Sequence, residues 1–328
     1  MQASDATPSA TPDPAAVPAP AELRNELARR LERSRARTLA LTDYDDGELV
    51  KQHSPLMSPL VWDLAHVGSQ EELWLVRDVG GRPPLRGDID EMYDAFQHPR
   101  STRPTLPLLS PDESRRYLAE VRDKALDILD RTPLEGTPLL ENGFAFGMIV
   151  QHEQQHAETM LATHQLRDGD RILPQTPLPD TRGTASLRSE TRPPEALVPG
   201  GSFDMGTSVE PWALDNERPA HAVEVPAYWI DTAPVTNGMY LRFMGAGGYT
   251  NPSWWHADGW RHVKEACLGA PKYWHRSDGE WLRTRFGAVE PVPVDEPVQH
   301  VCWYEADAYA RWAGRRLPTE AELSLIHI

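Results

Sequence analysis

From Ala21 to about Asp170 apolar residues recur at three- and four-residue steps, and beyond about Ala196 they do not. That change of period constrains the fold most. A 3.6-residue rhythm buries one face of a helix, whereas short broken apolar runs suit strands and loops. Residues 21–170 are therefore predicted to form a bundle of four helices. The first covers Ala21–Leu41, and the second spans Ser58–Asp78 with Trp62, Leu64, Leu73 and Trp74. Ser110-Pro111-Asp112-Glu113 opens the third, which runs through about Leu129. Its serine cap, first-turn proline and early acids all suit a helix start. The fourth, about Asn142–Leu166, is strongly apolar before it reaches a His/Gln cluster.

The flanking segments read differently. Residues 1–20, MQASDATPSATPDPAAVPAP, have no basic start and no apolar stretch, so a disordered Ala/Pro tail is expected there and not a signal peptide. Residues 171–195 lack periodicity and read as a linker. Over residues 196–322 short apolar runs (Ala196–Val198, Ala222–Val225, Tyr228–Asp231) alternate with Gly, Pro and Asn, and helical patches return at Asn237–Met244 and Glu305–Ala313. The expectation is an irregular α+β domain. Residues 323–328 have no fold rationale, and Leu323–Ile328 is what the codons CTG TCT CTT ATA CAC ATC of a transposon-end sequencing adapter encode. The protein's own sequence is accordingly expected to stop near Glu322 or Leu323, inside an incomplete second domain.

Acidic residues outnumber basic ones by 49 to 33, a formal charge of -16, with no compensating basic stripe, so nucleic acid is not an expected partner. No apolar run approaches a membrane span. Cys267 and Cys302 lack metal-ligand spacing and are read as idle thiols of a reducing, cytoplasmic setting.

The chemistry concentrates in QHEQQHAE, residues 151–158. His152 and His156 stand four apart on a helix, so their imidazoles share one face and form half of a metal site. The string also satisfies His-Glu-x-x-His, the zinc-protease pattern, in which Glu153 would be the general base. The longer form of that motif fails, because Thr159 and Ala162 stand where Gly and His are required. A better third ligand lies upstream: His66, on the predicted second helix, because bundle metal sites draw side chains from facing helices. Three neutral nitrogens suit Zn, Fe, Cu or Ni alike. Asp63, one turn before His66, is a candidate partner for an imidazole N–H, with a capping or surface role as the alternative.

The segments SPLMSPLVWDLAHVGSQEELWLVRD, YDAFQHPRSTR and QHEQQHAETML resemble the DinB-like domain of ergothioneine-biosynthesis sulfoxide synthases. LVPGGSFDMG, DNERPAH, PVTN and DEPVQHVCWYEADAYARWAGRRLPTEAE resemble the formylglycine-generating-enzyme-like (C-type-lectin-like) domain fused to it. The likeness runs in family order from about Leu23 to Glu322. It implies Fe(II) held by His66, His152 and His156, and a reaction that joins the sulfur of γ-glutamylcysteine to carbon 2 of the imidazole of hercynine. O2 would be the oxidant and the product a sulfoxide. Arg100 and Arg103 match the family's arginine pair for the thiol's carboxylates, a task suited to guanidinium forks. Gln155 matches a position that helps orient hercynine. The family's catalytic tyrosine lies further along than this chain runs, and none of Tyr228, Tyr240, Tyr304 or Tyr309 takes its role. The expected partners are thus small molecules, with no nucleic acid and no membrane. Three alternatives stand beside this reading: a related synthase using cysteine or a selenium donor, a zinc protease, and a metal-binding fragment without turnover.

Overall fold

The computed structural model describes residues 20–167, 169, 173 and 194–327. The expected tail and linker fall almost wholly outside them. The chain divides into two compact units, with the boundary between Thr163 and His164.

The first unit is helical. Its helices are α1 (Pro20–Leu41), the short α2 (Asp46–Val50), α3 (Leu60–Glu71), α4 (Pro111–Arg131) and α5 (Phe144–Leu166). The predicted second helix is realised in two pieces, since α3 continues from Glu72 to Val79 as a π-helix. Glu71 and Glu72, at the junction, are both fully buried. Neighbours in sequence normally diverge by about 100° round an α-helix, and the wider π turn accompanies this pair of inward carboxylates. The Ser110 start is a complete capping box: the Ser110 hydroxyl accepts from the Glu113 N–H, and the Glu113 carboxylate accepts from the Ser110 N–H. The far end of α4 is capped from α1, where Arg24 donates to the Leu129 and Thr132 carbonyls at 3.1 and 2.7 Å. Helices α3 and α4 approach closely at Gly68, where an added Cβ would stand 3.2 Å from the Tyr117 ring. Leu64, Val67 and Leu118 form the apolar contact beside it.

One polar cluster spans the interior of this unit. Arg35 of α1, Glu71 of α3, Arg122 of α4 and Glu153 of α5 are each buried and mutually paired. Arg35 reaches Glu71 at 2.5 Å and Glu153 at 2.8 Å, while Arg122 reaches Glu71 at 2.6 Å and Glu153 at 2.9 Å. Two cations and two anions sum to zero, and the remaining donors go to backbone carbonyls at Leu118 and Leu31. Burial alone would push the Glu153 carboxyl up, but the Arg35 and Arg122 guanidiniums outweigh it and hold it below the usual carboxylate range.

In the second unit β1 (Glu195–Val198) pairs antiparallel with β4 (Tyr228–Asp231), and β2 (Gly201–Met205) with β3 (His221–Val225). A three-stranded meander follows: β5 (Trp274–Ser277), β6 (Glu280–Arg285) and β7 (Ala288–Pro291). Helices α6 (Asn237–Gly245), α7 (Ala257–Glu265), α8 (Trp303–Trp312) and α9 (Glu320–Ile326) complete it. Tyr240, Phe243, Tyr249, Trp255, Val263 and Ala308 form its core. Sequence patterning did not anticipate the meander, because its strands are rich in Arg, Glu, His and Ser. The available signal was Asp278-Gly279, a two-residue turn with both φ positive at 48° and 86°. Cys267 and Cys302 are both free thiols. No helix among the described residues is long and apolar enough to cross a membrane.

Removing one member of a buried ion cluster strands the opposite charges in a low-dielectric interior. Glu153→Ala is therefore expected to destabilise the helical unit by about 3–5 kcal/mol, read from its urea unfolding. An unchanged midpoint would mean that Glu153 is not a structural anchor.

Candidate metal centre

Helix α5 is oriented about its own axis by Glu153, which points into the ion cluster. On a helix with 3.6 residues per turn, His152 and His156 lie about 100° and about 60° from Glu153, to the same side. There they meet His66 of α3. The ring centroids are separated by 5.2 Å (His66–His152), 4.7 Å (His66–His156) and 4.7 Å (His152–His156). One ligand atom from each of the three lies within 4.8 Å of the others. The structure thus brings His66 of one helix beside the i, i+4 pair His152 and His156 of another.

Two of the rings are held by their outer nitrogens. His66 Nδ1 lies 2.8 Å from the Tyr93 carbonyl. A carbonyl only accepts, so the proton sits on Nδ1 and the Nε2 lone pair is left for a metal. His156 Nδ1 lies 2.8 Å from Asp63 Oδ1, which sets the same tautomer. Asp63 therefore serves the histidine of the facing helix and not His66 on its own. Burial, reinforced by the neighbouring imidazoles His156 and His152, pushes the His66 pKa down to about 3. Burial and then His156 do the same to His152, again to about 3. Both rings are consequently neutral at ordinary pH, the state in which imidazole binds a metal. Three inward-facing imidazoles, two with their tautomers set from behind, fit a divalent transition metal.

The other predicted site residues separate. Arg103 is buried, donating to the Ser58 hydroxyl at 2.6 Å and the His98 carbonyl at 2.9 Å. Its guanidinium carbon lies 3.5 Å from the centre of the Trp62 ring. Arg100 is exposed, and its backbone carbonyl accepts from Gln52. Gln155 is exposed too, and its side chain makes no hydrogen bond among the described residues. Sequence reasoning missed the Tyr93 carbonyl, which has no side-chain signal, and the ion cluster that orients α5. A cavity of about 360 Å³ lined in part by Val76, Leu85, Lys124 and Ile128 lies elsewhere in the helical unit and includes none of the three histidines.

Against known proteins, residues 30–160 match the DinB superfamily, and residues 182–325 match the sulfatase-modifying factor enzyme 1-like domain. A helical unit with an inward histidine triad, followed by this second domain, defines the class. The chain is 50% identical over 305 residues to the hercynine oxygenase of Mycolicibacterium smegmatis, covering 91% of this chain and 68% of that one. It is 53% identical over 304 residues to that of Mycolicibacterium thermoresistibile, covering 91% and 65%. With that of Mycobacterium tuberculosis it shares 52% over 302 residues, covering 90% and 68%. The chain belongs to the hercynine oxygenase family, whose members are oxidoreductases. It spans about two thirds of these relatives' length, at 65% to 68%.

Two outcomes follow from the geometry. Asp63→Ala frees the His156 ring and is expected to weaken Co(II) binding by about 10–100-fold in direct titration. His66 and His152 hold protons near pH 3 when folded against an ordinary value of 6.5, so on acidification the unfolded chain takes up protons first. Their contribution to stability is whole above about pH 6.5 and is lost as pH falls toward 3. A His66→Gln/His152→Gln variant should show a shallower acid-unfolding profile by circular dichroism, and an unaltered profile would contradict the assignment.

Proposed function

We propose that this chain is the iron-binding part of a sulfoxide synthase of ergothioneine biosynthesis, with Fe(II) held by His66, His152 and His156. The observation that carries the reading is the convergence of three imidazoles from α3 and α5, two with their outer nitrogens already bonded, in a chain half identical to three hercynine oxygenases. In the proposed reaction the thiol S–H and the C–H at carbon 2 of hercynine's imidazole lose their hydrogens to one oxygen atom of O2, as water. The other oxygen atom remains on sulfur, and a C–S bond forms. Fe(II) supplies the redox centre and lowers the pKa of a coordinated thiol.

The chain's own residues support the substrate class. Arg103 is a buried guanidinium bonded to neutral oxygens, with no carboxylate in ion-pair distance among the described residues. A buried cation without a counter-ion is costly, and an anionic ligand would relieve it. γ-Glutamylcysteine, with two carboxylates, answers that need, and bidentate bonds to a guanidinium are the strongest available. Arg100, exposed and three residues earlier, is the proposed second contact, and Gln155, beside His156, the proposed contact to hercynine. Cysteine, with a single carboxylate, would leave the same arginines less fully matched.

The zinc-protease reading is disfavoured at Glu153. Its carboxylate is taken up by Arg35, Arg122 and the Ser34 hydroxyl, so it is not available to a metal-bound water as general base.

Anaerobic Fe(II) loading followed by O2 uptake with hercynine and γ-glutamylcysteine tests the proposal. His152→Ala should bind no iron and consume no O2. Arg103→Ala should keep iron and raise the thiol KM while leaving that of hercynine near its starting value. Thiol-independent O2 uptake, or an unchanged thiol KM in the arginine variant, would overturn the substrate assignment.

A further inference from the structure

Trp62 lies one helical turn before His66 and is fully buried. Its ring stacks on the His66 imidazole, with centroids 4.4 Å apart and planes 15° from parallel. The guanidinium carbon of Arg103 sits 3.5 Å from the same indole's centre. Two planar groups at those separations would collide on one face of the ring, so they occupy opposite faces. The result is a three-layer stack of guanidinium, indole and imidazole. Its inner layer is a predicted metal ligand and its outer layer a buried cation.

A mere space-filler would be chosen differently. The indole Nε1 is buried without a hydrogen-bond partner among the described residues, a desolvation cost that Phe or Leu would avoid. What the indole offers in exchange is its two faces, since Trp is the best aromatic partner for a desolvated cation. We propose that Trp62 is a positioning residue that couples Arg103 to His66. One face fixes the plane of the imidazole and the other the place of the guanidinium, so the anion-binding group and the metal ligand are held at a set separation. Displacement of Arg103, by a ligand or by mutation, is then felt at the metal through the indole. The proposal rests on the three histidines being a metal site, and its test is chosen to report on that point separately.

The experiment is a Co(II) titration of the whole chain, following both affinity and the visible ligand-field bands, which needs no turnover. Trp62→Leu is expected to weaken Co(II) binding by about ten-fold, in the range that outer partners of ligands typically contribute, and to alter the band pattern. Trp62→Phe keeps a flat face and should restore most of both. Arg103→Met touches no histidine, yet it should shift the bands in the same direction as Trp62→Leu, and it keeps the test decisive if the leucine variant does not fold. Wild-type affinity and bands in either Trp62→Leu or Arg103→Met, with only a lowered melting temperature, would overturn the coupling and leave the indole as filler. Absence of Co(II) binding by the wild-type chain, or full binding by His152→Ala, would overturn the metal-site reading and this proposal with it.

Discussion

The helical unit depends on the buried exchange of charge among Arg35, Glu71, Arg122 and Glu153, one residue from each of its four long helices. Apolar packing alone tolerates rotation of a helix about its axis, because Leu, Val and Ala surfaces are interchangeable to first order. A closed set of two guanidiniums and two carboxylates is not so tolerant. Each bond has a direction, and any rotation that breaks one leaves a charge in a medium that cannot solvate it. A buried ion cluster of this kind can constrain how helices are turned even where its net contribution to stability is small.

The metal centre inherits that orientation. With Glu153 turned inward, its neighbours His152 and His156 come round to the face that α3 presents through His66. The second layer is then built from what happens to be opposite: the Tyr93 carbonyl behind His66 and the Asp63 carboxylate behind His156. Each accepts a hydrogen bond from an Nδ1–H and leaves that ring's Nε2 lone pair for a metal. Burial keeps His66 and His152 neutral, so the donor set is prepared before any ion arrives.

The same glutamate explains why the His-Glu-x-x-His string misleads. On one helix the residue after the first histidine can face the metal or the core, depending on how the helix is turned. Zinc proteases use the first arrangement, and here the second is found. The string is identical either way, and the difference lies in Arg35 and Arg122, which are remote in sequence and carry no motif of their own.

Much of the fold was legible from local pattern. The four long helices, the Ser110 capping box and the strands at Ala196–Val198, Ala222–Val225 and Tyr228–Asp231 follow from periodicity and cap chemistry, which act within a few residues. The β5–β7 meander was not, because its polar strands lack alternation and only the short turns Asp278-Gly279 and Phe286-Gly287 mark it. At the site, the sequence by itself determined that His152 and His156 share a helix face, since four-residue spacing leaves a helix no other choice. Tertiary structure decided that His66 joins them, that Asp63 serves His156, that Arg103 is buried while Arg100 is exposed, and that Glu153 faces away. Those outcomes depend on pairings between residues tens of positions apart, and on backbone atoms such as the Tyr93 carbonyl, whose placement no local spacing encodes.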